Sequence, residues 1–175
     1  MDAHALPFAD RTFDVVILFE AIYYLEHPAV FVTEAYRVLR AGGVLILCTV
    51  NRDWDDFHPS PYTHRYFSVP ELASLLKPSF QEICAYGAFS TQTVGLRGKA
   101  ISLLKRLAVK WDLIPGSLAA RVYLKRIFMG ALQPLPEQLH EGMAPFEPPQ
   151  GITLERPNRD YKIIYALAFK REEVS

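Results

Sequence analysis

The segment Phe57-His58-Pro59-Ser60-Pro61-Tyr62-Thr63-His64-Arg65-Tyr66-Phe67 puts two histidines, an arginine and two tyrosines into eleven residues. Histidine ordinarily titrates near neutrality, so His58 or His64 can take a proton from a hydroxyl nucleophile. Tyr62, Arg65 and Tyr66 offer a polar and aromatic surface for a substrate. The same side chains could instead cap backbone groups in a structured loop. A second concentration is Phe19-Glu20-Ala21-Ile22-Tyr23-Tyr24. Glu20 can accept from an amine or a hydroxyl. Tyr23 and Tyr24 can wall a reacting group, or simply pack in the core. A third is the run Arg97, Lys99, Lys105, Arg106, Lys110, Arg121, Lys125 and Arg126, set against the single acid Asp112. Basic amphipathic helices can rest on anionic membranes or cover a phosphorylated or lipid-linked substrate. They can also be an ordinary surface pair.

Composition narrows these readings. Half of the 175 residues are hydrophobic, enough for one domain with its own core. Lys plus Arg equals Asp plus Glu, so the formal net charge is zero and no nucleic-acid partner is expected. Cys48 and Cys84 lie in apolar runs and read as reduced, buried thiols. His58 and His64 are not spaced as a zinc pair and have no cysteine nearby, so no metal is expected. No apolar run reaches the roughly 18 residues that span a bilayer. No signal peptide is read, and the expected location is cytoplasmic. Peripheral membrane contact stays open through the basic pair.

Elements must hold these groups in place. Phe13–Ala21 is a continuous Val- and Ile-rich run, as in a strand buried on both faces of a parallel sheet. Pro28 to Arg40 carries apolar residues at helical spacing and should stop at Gly42-Gly43. Val44–Val50 is a second strand. Strand, helix and strand with short joins predict parallel pairing by a right-handed crossover. Ser68 and Glu71 form a capping box ahead of a helix running to about Lys77. Phe80–Gly87 and the alternating Tyr161–Phe169 read as further strands. Residues 97–132 predict a helical insertion, lid-like in position, and 133–158 a Pro-rich loop. All 175 residues are read as one α/β domain of three layers.

The stretch Asp2-Ala3-His4-Ala5-Leu6-Pro7-Phe8-Ala9-Asp10 leads into Phe13-Asp14 and Val15-Val16-Ile17-Leu18. Glu34-Ala35-Tyr36-Arg37-Val38-Leu39-Arg40-Ala41-Gly42-Gly43 then runs into Val44-Leu45-Ile46-Leu47. This resembles the second half of the nucleotide-binding core of class I S-adenosylmethionine-dependent methyltransferases, in the small-molecule, type 11-like branch. The resemblance implies a partial Rossmann-like sheet, the fourth to seventh strands, with the helical insertion between the last two. Those two would form an antiparallel pair. S-adenosylmethionine is the implied cofactor. Asp2 would accept the adenine amine and the Ala3 backbone N–H would donate to the ring. Leu6 would pack beside the adenine. Phe19 and Glu20 would face the methionine part, at the carboxyl ends where α/β sheets bind ligands.

The Gly-rich turn and the ribose-binding acid of that family precede this pattern and are not among the 175 residues. The chain therefore reads as truncated, with S-adenosylmethionine binding weakly or not at all. An N-terminal half, or a second copy, is expected to pair with the edge of the first strand. Transfer of a methyl group to an oxygen of a small molecule, such as a sugar or lipid-linked metabolite, is the leading function. Its base would be His58, His64 or Tyr24, and its acceptor would meet Tyr23, Tyr62, Arg65 and Tyr66. The alternative is a non-catalytic remnant or scaffold that holds an anionic partner through the basic helices.

Overall fold

The computed structural model describes residues 2–91, 138, 140, 142–143 and 146–172. The chain divides into two compact units, Met1–Gln92 with Glu147–Ser175, and Thr93–Phe146. The expected helical insertion at 97–132 lies outside the described residues. In the second unit the His140 backbone N–H points at Met143 Sδ, 3.0 Å away. All elements below belong to the first unit.

The order is β1 (Phe13–Phe19), a short 3-10 helix (Ile22–Tyr24), α1 (Pro28–Val38), β2 (Leu39–Val50), α2 (Val69–Leu76), β3 (Glu82–Ser90), β4 (Gln150–Ile152) and β5 (Tyr161–Phe169). They build one sheet in the order β1-β2-β5-β3-β4. β1 and β2 are parallel, with Val15 opposite Val44 and Phe19 opposite Cys48. The intervening α1 supplies the crossover that parallel pairing demands. β5 is antiparallel to β2 on one side and to β3 on the other. The Pro-rich segment adds the short edge strand β4, which pairs with β3 from Ala85 to Gly87. Three residues are too few to show alternation, so nothing in the sequence announces it.

The glycine pair does not stop α1. The helix ends at Val38, and Leu39 is already extended at φ −74°, ψ 141°. Leu39 pairs with Phe13, and the next pair is Val44 with Val15, so β2 bulges between them. Gly42 takes φ +75° within that bulge, a conformation that costs glycine little. A Cβ on Gly43 would meet the carbonyl oxygens of Arg40 and Asp14 at 2.9 and 3.1 Å. The pair therefore serves the entry into β2 rather than the helix end.

The core lies on one face of the sheet. Leu45, Leu47, Ile164, Ala166 and Ala168 meet Phe31, Val32 and Ala35 of α1 and Val69, Leu72 and Leu76 of α2. Phe67 and Phe80 close its ends. Each fully buried Leu or Phe side chain contributes about 1.5–3 kcal/mol. On the opposite face Ile17, Ile46, Leu167 and Cys84 fall in one row across four strands. Three layers are expected from the sequence, but among the described residues helices pack on the first face only. Val15, Ile17 and Phe19 on the edge strand stay 45%, 57% and 54% exposed.

The capping box at α2 forms as the sequence predicts. Ser68 Oγ accepts from the Glu71 N–H at 3.3 Å, and Glu71 Oε2 accepts from the Ser68 N–H at 2.9 Å. Ser68→Ala is expected to destabilise the fold by about 1 kcal/mol. It should lower the urea midpoint with an unchanged m-value. An unaltered midpoint would show that α2 is held by packing alone.

Candidate active site

Because β1 and β2 are parallel, their carboxyl ends share one edge of the sheet. Antiparallel β5 begins at that edge and β3 ends there. Glu20 follows the last residue of β1. Its N–H still donates to the Cys48 carbonyl at 2.8 Å, as the ladder's last bond. Its backbone then turns to φ +51°, left-handed and unusual for a residue other than glycine. This turn ends β1 at Phe19, two residues before the sequence predicts, and starts the 3-10 helix.

The turn aims the Glu20 carboxylate at two donors. The Tyr23 hydroxyl donates to Oε2 at 2.9 Å, and the Cys48 thiol approaches Oε1 at 3.5 Å. Cys48 faces Tyr165 across the β2–β5 ladder and shares a side-chain hydrogen bond with it. Burial, reinforced by the Glu20 carboxylate, raises the Tyr23 phenol above its ordinary range. Burial and the same carboxylate push the Cys48 thiol up to about 11. Both are therefore neutral near pH 7 and act as hydrogen-bond donors toward the carboxylate.

Aromatic rings build outward from this cluster. Tyr66 lies 4.9 Å from Tyr23 and 4.7 Å from Phe57, and Tyr23 lies 4.7 Å from Tyr24. The His64 N–H donates to the Tyr23 carbonyl at 2.9 Å, which pins the loop after β2 onto the 3-10 helix. Buried Asn51 fixes the start of that loop, with Nδ2 donating to the carbonyls of Asn158 and Tyr161 at 2.7 and 2.8 Å. Tyr24 is half exposed and Tyr62 almost wholly so. Phe19 stands edge-on to Tyr165 at 6.1 Å. Arg65 is turned to Glu71 at 3.1 Å and lies over the Phe67 ring.

The structure thus joins Glu20, Tyr23, Tyr24 and Tyr66 in one cluster. The rings of His58 and His64 are exposed and make no hydrogen bond among the described residues. Cys48, Tyr165, Phe57 and Asn51 join the site without having been singled out from the sequence. The first two meet only across the sheet. Asn51 and Phe57 flank the histidine-rich segment and were within reach of a sequence reading. Among the described residues no group of His, Cys, Asp and Glu is placed to hold a metal.

The N-terminal segment is fastened to α1. Glu34 Oε2 accepts from the Leu6 N–H at 2.9 Å. Arg37 donates to the carbonyls of Leu6 and Phe8, to Asp10 and to Glu34, all at 2.7–3.0 Å. Ala3 packs against the core. Asp2 Oδ1 meets both the His4 N–H, at 2.9 Å, and the His4 ring Nδ1, at 2.8 Å. These contacts hold its carboxyl below the ordinary range. His4 Nε2 in turn accepts from the His27 N–H at the start of α1.

Residues 1–47 match the family described as a methyltransferase domain. The chain is 38% identical over 82 residues to a protein of Mycolicibacterium smegmatis named "Probable S-adenosylmethionine-dependent methyltransferase", covering 45% of this chain and 32% of that one. It is 34% identical over 101 residues to a ubiquinone/menaquinone biosynthesis C-methyltransferase of Roseobacter denitrificans, 58% of this chain and 31% of the other. The matches thus span about a third of the length of these relatives. In structure, an S-adenosylmethionine-dependent methyltransferase from Thermotoga maritima superposes with a TM-score of 0.58 at 17% identity. That superposition covers 98% of this chain and 62% of the other, and shows a shared fold. A methyltransferase from Archaeoglobus fulgidus gives 0.52 at 11% identity over 97% and 66%. The family match covers the first 47 residues, and the superpositions show the fold alone. Among the described residues no helix is long and apolar enough to cross a membrane.

The Glu34 clamp has a pH signature. Arg37, followed by the Leu6 N–H, lowers the Glu34 carboxyl from 4.5 to about 2. A folded-state value below the unfolded one means stability that is full above about pH 4.5 and lost as pH falls toward 2. Glu34→Gln should flatten that limb of a urea-midpoint-against-pH curve while leaving a lower plateau at pH 7. An unchanged acid limb would place the sensitivity in other carboxylates.

Proposed function

We propose that this chain carries the acceptor side of a small-molecule methyltransferase, and that the transfer is to oxygen. The observation that supports this reading best is the Glu20 carboxylate. It sits at the carboxyl edge of a parallel strand pair, on left-handed backbone, with Tyr23 and Cys48 holding its oxygens. Strained backbone that surrounding contacts maintain is characteristic of working sites. Bound S-adenosylmethionine supplies an electrophilic methyl group on a sulfonium.

The chain's own groups suit both ends of that cofactor. Asp2 Oδ2 is left over after His4 takes Oδ1, and it can accept an adenine amine. The Ala3 N–H stands next to it, and Leu6 packs along the same segment. Glu20 can accept from the amino acid ammonium or take the proton of an acceptor hydroxyl. Tyr23 keeps the carboxylate oriented through Oε2. Tyr23, Tyr66 and Phe57 stack in a row with Tyr24 beside Tyr23, and an acceptor bound on these rings would displace water and strengthen the electrostatics of the site. His58 and His64 stand at the rim as second candidates for the base, and Tyr62 and Arg65 offer outer contacts for the acceptor. A sugar or lipid-linked metabolite remains our reading of that acceptor. The basic segment, which would favour an anionic acceptor, lies outside the described residues.

We also infer that β1 presents a pairing edge. Val15, Ile17 and Phe19 are exposed there, and an unpaired apolar edge recruits further strands. The occupant is a strand of an N-terminal half or of a second copy.

Two measurements test these readings. Titrating S-adenosylhomocysteine into the chain by NMR should broaden signals of Tyr23 and Tyr24. Glu20→Gln should weaken that binding by about tenfold, roughly the 1.4 kcal/mol of one charged hydrogen bond. Broadening elsewhere, or affinity indifferent to Glu20, would overturn the placement. In sedimentation, the chain should self-associate as concentration rises and Ile17→Lys should suppress it. A wild-type chain that stays monomeric would remove the second copy as the occupant.

A further inference from the structure

The same edge of the sheet continues beyond β5 to β3 and β4, and a cavity of about 230 Å³ lies there. Gly87, Phe89, Ser90, Glu147, Gln150 and Tyr161 line it. None of them belongs to the Glu20 cluster. Phe89 holds φ +57°, one of three described non-glycine residues with positive φ. Such backbone is strained for a residue that carries a Cβ. Yet it leaves an aromatic ring 65% exposed. Gly87 is needed beside it, because a Cβ there would collide with the Tyr161 ring. Strain and a close approach thus cooperate to set two aromatic rings around one hollow.

Among the described residues that line the hollow, Glu147 is the only acidic or basic side chain. Of the basic residues near Tyr161 in sequence, Lys162 lies over the Trp54 ring at 5.5 Å, and Arg159 reaches Asp55 at 4.0 Å. Gln150 donates one of its two amide N–H groups to the Pro148 carbonyl, and its own carbonyl oxygen is an acceptor. Two aromatic side chains, a carboxylate and an amide oxygen in one lining complement an organic cation and repel an anion. The volume is below the roughly 300–1,000 Å³ of sites that enclose a whole drug-sized ligand, so it suits one headgroup.

We propose that the cavity between Phe89 and Tyr161 binds the ammonium group of a small molecule. Its place on the carboxyl edge makes that molecule the methyl acceptor, held at its far end while its hydroxyl meets Glu20. This second statement rests on the methyl-transfer reading, and the binding itself does not.

The test is an NMR titration of the chain with tetramethylammonium and with tert-butanol, a neutral molecule of similar size, both without S-adenosylmethionine. Tetramethylammonium should shift the ring signals of Phe89 and Tyr161 and bind at least about fivefold more tightly. Phe89→Leu should weaken it about two- to fivefold, the 0.5–1 kcal/mol of an exposed cation–π contact. Phe89→Tyr should restore it. Glu147→Gln, at an exposed position that leaves folding untouched, should weaken it by a similar factor. Equal affinity for the two probes, or indifference to Glu147→Gln, would overturn the proposal. Cation binding without any methyl transfer would leave this site standing and sink only the acceptor assignment.

Discussion

Strand β2 carries the fold because its backbone must be paired on both sides. Leu45, Leu47, Cys48 and Thr49 are buried along it, and a buried strand cannot leave N–H or C=O groups without partners. β1 satisfies one side in parallel and β5 the other in antiparallel register. That double ladder brings the carboxyl ends of β1 and β2, the start of β5 and the end of β3 to one edge. Every group with chemical promise among the described residues gathers at that edge or on the segment clamped to α1.

The edge is stiffened by contacts that are not part of any ladder. Asn51 caps the end of β2 onto the start of β5, and it also accepts from the Asp53 N–H at 3.0 Å. Glu20 leaves β1 in a left-handed turn that Tyr23 and Cys48 hold from two directions. The wall of Tyr23, Tyr66 and Phe57 then rests on a loop whose two ends are both fixed. Pre-organisation of this kind is what a site needs if its binding energy is to go into positioning a reactant.

Electrostatics is arranged around the same purpose. Glu34 and Arg37 are paired one turn apart on α1, and they also bond the backbone of Leu6 and Phe8 and the Asp10 carboxylate. An extended segment with no regular structure of its own is thereby held against the helix. Just beyond Arg37, Lys170 Nζ donates to the Tyr36 and Leu39 carbonyls where α1 gives way to β2. These pairs are partly solvated, so their value lies more in fixing geometry than in raw stability.

The sequence by itself determined the βαβ unit, the α2 capping box and the alternating last strand, because these depend on period, caps and apolar runs that are local. It also offered Glu20 and Tyr23, just past the end of β1, and Tyr66, in the loop after β2, as candidates, and these three side chains meet in the fold. It did not determine where α1 stops: Gly42-Gly43 looks like a helix terminator, yet the pairing of Leu39 with Phe13 draws the chain into β2 first. Nor could it foresee Cys48 and Tyr165, which meet only once β5 inserts beside β2. The strand β4, the close approach of Tyr161 to Gly87 and the outward Phe89 likewise arise from strands far apart in the chain. Local pattern decides which elements form, and only the order in which they pair decides which side chains share an edge.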